Sequence, residues 1–335
     1  MSKRLFKRLC LSPLGRWLAA PMIREDGFRI INFHRVLPDS TPPGDYRRVL
    51  GNPTASQFER MMKVIRRHFR ILPIEELVAR MPDWKRGFAL GVTFDDGYED
   101  VGSIAAPILE RLGIPYTVFL TTRFLDGELP WFSRMFALAH SPELRREHLW
   151  LPQEIEWDGA SPSALRHALA KHLSQFDTPE LSARLDELEA SNAWYRRPDD
   201  LRQREAFMTW DDVRRVQAGR CASWGAHTLT HVNVAAVEGA RLDEELLVPR
   251  QRIEAETGRP CPFVAYPGGR FHESKIQNVK AAGYRAGFLM KAGLNDPATD
   301  VFRIYREYAA ADPVNALFQL YGFGRLKHAA RRRKA

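Results

Sequence analysis

Short apolar runs alternate with amphipathic stretches along most of this 335-residue chain. Phe28-Arg29-Ile30-Ile31-Asn32-Phe33-His34 reads as a first strand, and Pro38 to Gly44 as a turn-rich loop. Phe58, Met61, Met62, Ile65 and Phe69 then recur at helical spacing behind Ser56 and Glu59, which have the form of a capping box. A short helix over 74–80 precedes Phe88-Ala89-Leu90-Gly91-Val92, an apolar run that predicts a buried strand. A helix over 101–112 stops at Gly113, and residues 114–120, rich in β-branched and aromatic side chains, predict the next strand. Strand, helix and strand at crossover spacing imply parallel pairing and an α/β fold.

Between 126 and 205 this rhythm breaks. Helical patterns recur over 141–150, 161–175 and 178–191 without a convincing strand, which predicts a helical insertion or lid. The alternation resumes with a helix over 209–217 that has a Thr-x-x-Asp start, a strand over 221–226 and a long amphipathic helix over 239–257. A strand over 262–265, a helix over 274–282, strands over 284–289 and 301–308, and a last helix over 313–321 complete the reading. The expected organisation is a basic arm over 1–24, one catalytic domain over 25–322, and a basic tail over 323–335.

Composition adds a location to this outline. Apolar residues make up 44% and charged residues 27%, ordinary for a globular chain, and three cysteines build neither a disulfide framework nor a Cys-rich zinc site. The net charge is +9, but residues 1–16 and 325–335 hold eleven basic residues and no acid, leaving 39 basic against 41 acidic residues between them. A body without excess positive charge argues against a nucleic-acid groove, whereas basic ends suit peripheral contact with an anionic membrane. Pro13 and Arg16 interrupt the leading apolar stretch, so no secretory peptide is predicted, and no apolar run is long enough to span a bilayer. The expectation is a cytoplasmic protein at the inner membrane face, its arm either an interfacial amphipathic segment or a frayed, solvated one.

The chemistry gathers at predicted strand ends. Thr93-Phe94-Asp95-Asp96-Gly97-Tyr98 sets two adjacent carboxylates at the end of a buried strand, and both are costly to desolvate without a cation or donors. Neighbouring strand residues point to opposite sides, so the pair shares a rim only if the chain turns, which Gly97 permits. One carboxylate can then hold a metal while the other takes a proton; the plainer alternative is a polar β-turn. His227-Thr228-Leu229-Thr230-His231 follows another strand, and two imidazoles four apart lie on one face of a helical turn. Two imidazoles and a carboxylate form a facial site with open positions, a donor set that suits zinc without excluding other divalent transition metals.

Taken with Phe263-Val264-Ala265-Tyr266-Pro267-Gly268-Gly269, these motifs resemble the polysaccharide deacetylase family, the NodB-homology carbohydrate esterases, over about residues 28–310. The resemblance implies a distorted (β/α)7 barrel, a divalent metal and hydrolysis of an N-acetyl group on a sugar, in a glycan or a lipid-linked precursor. It makes Asp95 the general base and Asp96, His227 and His231 the metal triad, with Thr228 orienting the histidines. The backbone N–H of Tyr266 would help hold the oxyanion, and Tyr266, Pro267 and Arg270 would bind substrate. The family's arginine that steers the base has no counterpart in its usual motif; Arg259 and Arg270 are the nearest substitutes. Its C-terminal Leu-x-His is missing too, but Phe33-His34-Arg35-Val36 resembles the N-terminal element of a circularly permuted branch and implies His34 as general acid. Two alternatives stand beside this reading: a hydrolase of a non-sugar amide on the same metal site, and a carbohydrate-binding protein without catalysis.

Overall fold

Strands covered on both faces carry apolar residues throughout, and here they form a curled parallel sheet. The computed structural model describes residues 26–157, 159–176, 178–310 and 312–321. Its strands are β1 (Gly27–Phe33), β2 (Arg70–Ile71), β3 (Phe88–Asp96), β4 (Tyr116–Leu120), β5 (Ala222–Ala226), β6 (Phe263–Ala265), β7 (Ala286–Phe288) and β8 (Glu307–Tyr308). They lie in the order β7-β6-β5-β4-β3-β1-β8, with β2 beside β3, and every strand pairing is parallel.

One segment joins the two edges of this sheet. Gly287 N donates to Val301 O at 3.0 Å and Leu289 N to Ile304 O at 2.8 Å, while Glu307 and Tyr308 pair with Ile31 and Asn32 of β1. The expected strand over 301–308 is therefore a closing staple, and the distorted (β/α)7-type barrel forms around it. The lower interior is apolar, with Phe28, Ile30, Phe119, Phe263, Phe288 and Ile304 in one cluster. Above it the same inward-facing rows carry Asn32, Thr93 and Asp95. Gly91 has no side chain because Ile74 and Leu77 plug the base there: an added Cβ would lie 2.7 Å from Ile74 Cδ1.

The α-helices of six residues or more are α1 (Ala55–His68), α2 (Ile74–Arg80), α3 (Ala106–Leu112), α4 (Trp131–Ala139), α5 (Pro162–Leu173), α6 (Thr178–Ser191), α7 (Trp210–Gln217), α8 (Gly239–Thr257), α9 (Ile276–Ala281) and α10 (Pro313–Leu320). Two expectations need correction. The capping box of α1 is Thr54 with Gln57, whose Oε1 accepts from Thr54 N at 2.9 Å; Ser56 lies inside the helix and is hydrogen-bonded to Asp39. The helix expected over 141–150 is absent, because Pro142 breaks its start and the apolar face belongs to α4, where Phe132, Met135 and Leu138 are buried. The basic arm and tail, to which the expected membrane contact was assigned, lie outside the described residues. Among those described, no helix is long and apolar enough to cross a membrane.

Candidate active site

The end of β3 puts both carboxyl groups at one mouth by breaking the strand's alternation. Asp96 adopts a left-handed backbone (φ 74°) and Gly97 follows at φ 88°. A non-glycine residue in that region is strained, and such strain concentrates at functional sites. Asp95 remains in the inward row, and Asp96 turns out beside it.

Asp95 is held by three donors. Arg306 Nη1 and Nη2 reach Asp95 Oδ1 and Oδ2 at 2.6 and 3.0 Å, and Asn32 Nδ2 reaches Oδ2 at 2.9 Å. Asn32 is itself fixed, its Oδ1 accepting from Thr93 Oγ1 at 2.7 Å and Arg306 Nη1 at 3.1 Å. Burial alone would raise the Asp95 carboxyl; the charge and hydrogen bonds of Arg306 override it and hold the group well below the usual carboxylate range. The arginine that meets Asp95 is Arg306, not Arg259 or Arg270, the two that stood nearest in sequence. It was missed because it lies in the closing staple, 211 positions from Asp95; the only signal was a pair of arginines, Arg303 and Arg306, in the last predicted strand.

Asp96 faces two imidazoles. His227 Nε2 and His231 Nε2 lie 3.5 and 3.4 Å from Asp96 Oδ1, and the three ligand atoms fall within 4.8 Å of one another. Asp96 Oδ1 is buried without a hydrogen-bond partner, an arrangement that is costly unless a cation meets it. His227 Nδ1 lies 2.8 Å from Ala265 O, which makes it the protonated nitrogen and leaves Nε2 free to ligate. Burial pulls His227 down to about 4 and His231 well below its ordinary value, so both rings are neutral, the form a metal binds. These residues fit a divalent cation.

The histidines sit on a loop rather than on the helical turn expected, with Thr228 and His231 both at φ 63°. That path is set from α8 by Glu245, which is fully buried and accepts from Leu229 N and Thr230 N at 2.9 Å and from Thr230 Oγ1 at 2.6 Å. Thr121 Oγ1 adds a bond to His227 O at 3.0 Å. Thr228 does not orient the pair through its hydroxyl, which is buried and unpartnered.

His34 follows β1, lines the same cavity and stacks on Tyr308 with ring centroids 5.5 Å apart. Burial lowers its pKa, with Asp95 opposing. Arg35, its neighbour, turns away to Asp100 Oδ2 at 2.7 Å and Glu205 Oε1 at 3.1 Å. Glu205 also accepts from Ser133 Oγ of α4 at 3.1 Å and from the Tyr46 hydroxyl. One buried carboxylate thereby ties the His34 loop, the 46–49 turn and the inserted helices together.

Pro267 and Arg270 line the cavity, but Tyr266 does not. Its N–H donates to Phe288 O at 3.0 Å within the barrel wall and its hydroxyl to Phe302 O at 3.1 Å, so neither is available to an oxyanion or a sugar. The cavity, about 550 Å³, is roofed by α4 and α5, and Phe132 of α4 packs edge-on against His231 with centroids 4.9 Å apart.

Residues 160–287 match the polysaccharide deacetylase family, a stretch that contains the histidine loop and the Tyr266-Pro267 turn. A search of the curated proteins gives no match. Among solved structures, the Streptococcus pyogenes deacetylase PplD in complex with acetate is similar with a TM-score of 0.59 and 13% identity, over 88% of this chain and 98% of that one. IcaB from Ammonifex degensii is similar with a TM-score of 0.55 and 17% identity, over 89% and 98% of the two chains. The BpsB deacetylase domain from Bordetella bronchiseptica follows with a TM-score of 0.51 and 16% identity, over 85% and 98%. At these identities the likeness is one of fold. The likeness to the polysaccharide deacetylase family thus covers residues 160–287, and the barrel shared with these deacetylase structures extends a likeness of fold over most of the chain.

Proposed function

We propose that this protein is a metal-dependent hydrolase that removes N-acetyl groups from an amino-sugar glycan or its lipid-linked precursor, releasing acetate. The observation that carries the reading is the division of labour at the end of β3. Asp95 is saturated by Arg306 and Asn32, while Asp96 Oδ1 is left without a donor opposite two imidazoles.

Asp96, His227 and His231 would hold the cation, and their donor set suits zinc. When bound, a divalent cation supplies Lewis-acid polarisation of the acetamide carbonyl and a water acidified at neutral pH. The remaining work belongs to side chains. Asp95, ionised because Arg306 opposes its protonation, accepts the proton of the attacking water. His34 passes a proton to the departing amine, which leaves poorly until protonated; burial favours its neutral ring, so it takes up the proton released by the attacking water before giving it to the amine. Pro267 and Arg270 border the sugar.

The cavity volume of about 550 Å³ lies within the range of small-molecule sites, roughly 300–1,000 Å³. That size and its helical roof favour a chain end or a precursor over the interior of a long polymer. Acetate release from a panel of N-acetylated mono-, di- and oligosaccharides, with and without chelator, tests the reading. Chelator-sensitive release supports it; release from acylated non-sugar amides alone would replace the substrate class.

A further inference from the structure

We infer that the wall of the cavity formed by α5 is an anion-binding subsite, built from Arg166 and Arg270, which receives a phosphate or carboxylate group carried by the amino-sugar substrate. The inference rests on the deacetylase reading and adds the charge of the substrate to it.

α5 has two faces. Leu165, Leu169 and Leu173 are buried among the inserted helices, while Ser163, Arg166, His167 and Ala170, with Ser174 at the C-cap, border the cavity at helical spacing. The cations along the cavity wall differ in what they meet. Arg35 is bridged to Asp100 and Glu205, and Arg47 to Asp45 at 2.6 Å. Arg166 and Arg270 have no carboxylate within ion-pair distance among the described residues. Arg166 lies over the Phe136 ring, 5.7 Å from its centroid, and its Nε is buried without a hydrogen-bond partner. Its Nη2 lies 3.2 Å from His167 Nε2, and His167 Nδ1 lies 2.6 Å from Ser163 O, so the imidazole steadies the guanidinium without neutralising it. Arg270 reaches α5 from the turn after β6 and donates to Ser174 Oγ.

Two half-buried guanidinium groups without counter-ions among the described residues, beside Trp131, Phe136 and Ala170, are poorly solvated. An incoming anion offsets that cost, and the apolar surroundings strengthen the attraction. The planar fork of Arg matches the paired oxygens of a phosphate or carboxylate. The subsite adjoins the reacting groups, because Arg166 and Arg270 line the same cavity as Asp95, His34 and Tyr308, whose ring stacks on His34. A sugar whose acetamido group faces Asp95 would thus present its anionic substituent to α5.

The test uses the holoenzyme and three probes: N-acetylglucosamine, N-acetylglucosamine 1-phosphate and 2-acetamido-2-deoxyglucuronic acid. Titration calorimetry reads affinity, and acetate release reads turnover. At least one anionic sugar should bind about tenfold more tightly than the neutral one, the gain expected of a charge-assisted hydrogen-bond pair. Whether the phosphate or the carboxylate probe wins identifies the source of the anion. The ratio of anionic to neutral affinity should fall about tenfold in Arg166→Gln with Arg270→Gln, and by less in either single variant, each of which guards against misfolding of the pair. Equal affinities for all three probes in the wild type would overturn the inference. So would a preference that survives both substitutions, since the anion would then be held elsewhere. Acetate release without any anion preference removes this subsite and leaves the deacetylase standing; an Arg-dependent preference without acetate release does the reverse.

Discussion

Arg306 grips Asp95 with both terminal nitrogens, at 2.6 and 3.0 Å, from a segment that also closes the barrel. The carboxylate is fully buried, so its ionised state depends on that grip. Arg306→Gln removes the opposing charge and leaves burial, which raises the carboxyl. The sign follows directly. In the wild type Asp95 stays ionised below the usual carboxylate range, and the stability contributed by the pair is lost only as pH falls through that lowered value. In the variant, the acid limb of kcat/KM should move up by about 1–3 pH units, and activity near neutrality should fall. A pH–rate profile of both proteins checks this; an unmoved acid limb counts against Asp95 as the base.

His34 is predicted to matter in proportion to the difficulty of the leaving group. His34→Ala should reduce acetate release from an N-acetylated sugar by about 10²–10⁴-fold. With 4-nitrophenyl acetate, whose leaving group departs without protonation, the loss should be much smaller. Equal losses on both substrates would assign His34 a structural place beside Tyr308.

Glu245 should act on metal affinity from outside the ligand set. Its carboxylate fixes Leu229 and Thr230 between the two histidines, and partners of this kind affect metal affinity by about 10–100-fold. Glu245→Gln should weaken zinc binding, read by competition with a chromogenic chelator, with zinc-saturated turnover largely recovered. Unchanged zinc affinity would show that the loop holds its path without Glu245.

Much of the fold was legible because its signals are local. The apolar runs of β1, β3 and β4 and the periodic face of α1 each state their own structure. The acid pair and the histidine pair were legible for the same reason: each concentrates costly groups in a few consecutive residues at a strand end. What escaped is non-local. Arg306 meets Asp95 only once the sheet has curled and closed, and Glu245 meets the histidine loop only once α8 has packed beside it. Tyr266 shows the converse. Its place in a motif suggested an open N–H, yet the pairing of β6 with β7 had already taken that donor.

Glu205 is expected to be the most sensitive position outside the metal site. It is 2% exposed and joins Arg35, Ser133 and Tyr46. Glu205→Ala leaves a buried guanidinium short of a partner and should destabilise the fold by about 3–5 kcal/mol. Urea unfolding should show a lower midpoint at a similar slope. A change within experimental error would mean that Asp100 alone satisfies Arg35.

The central claim is that adjacent carboxylates do different work, Asp95 on the proton and Asp96 on the cation. The most direct measurement is bound metal and acetate release on the same samples of wild type, Asp95→Asn and Asp96→Asn. Asp95→Asn should retain its metal and lose about 10²–10⁴-fold in turnover, while Asp96→Asn should lose both. Near-normal turnover in Asp95→Asn, or full metal occupancy in Asp96→Asn, would contradict the account.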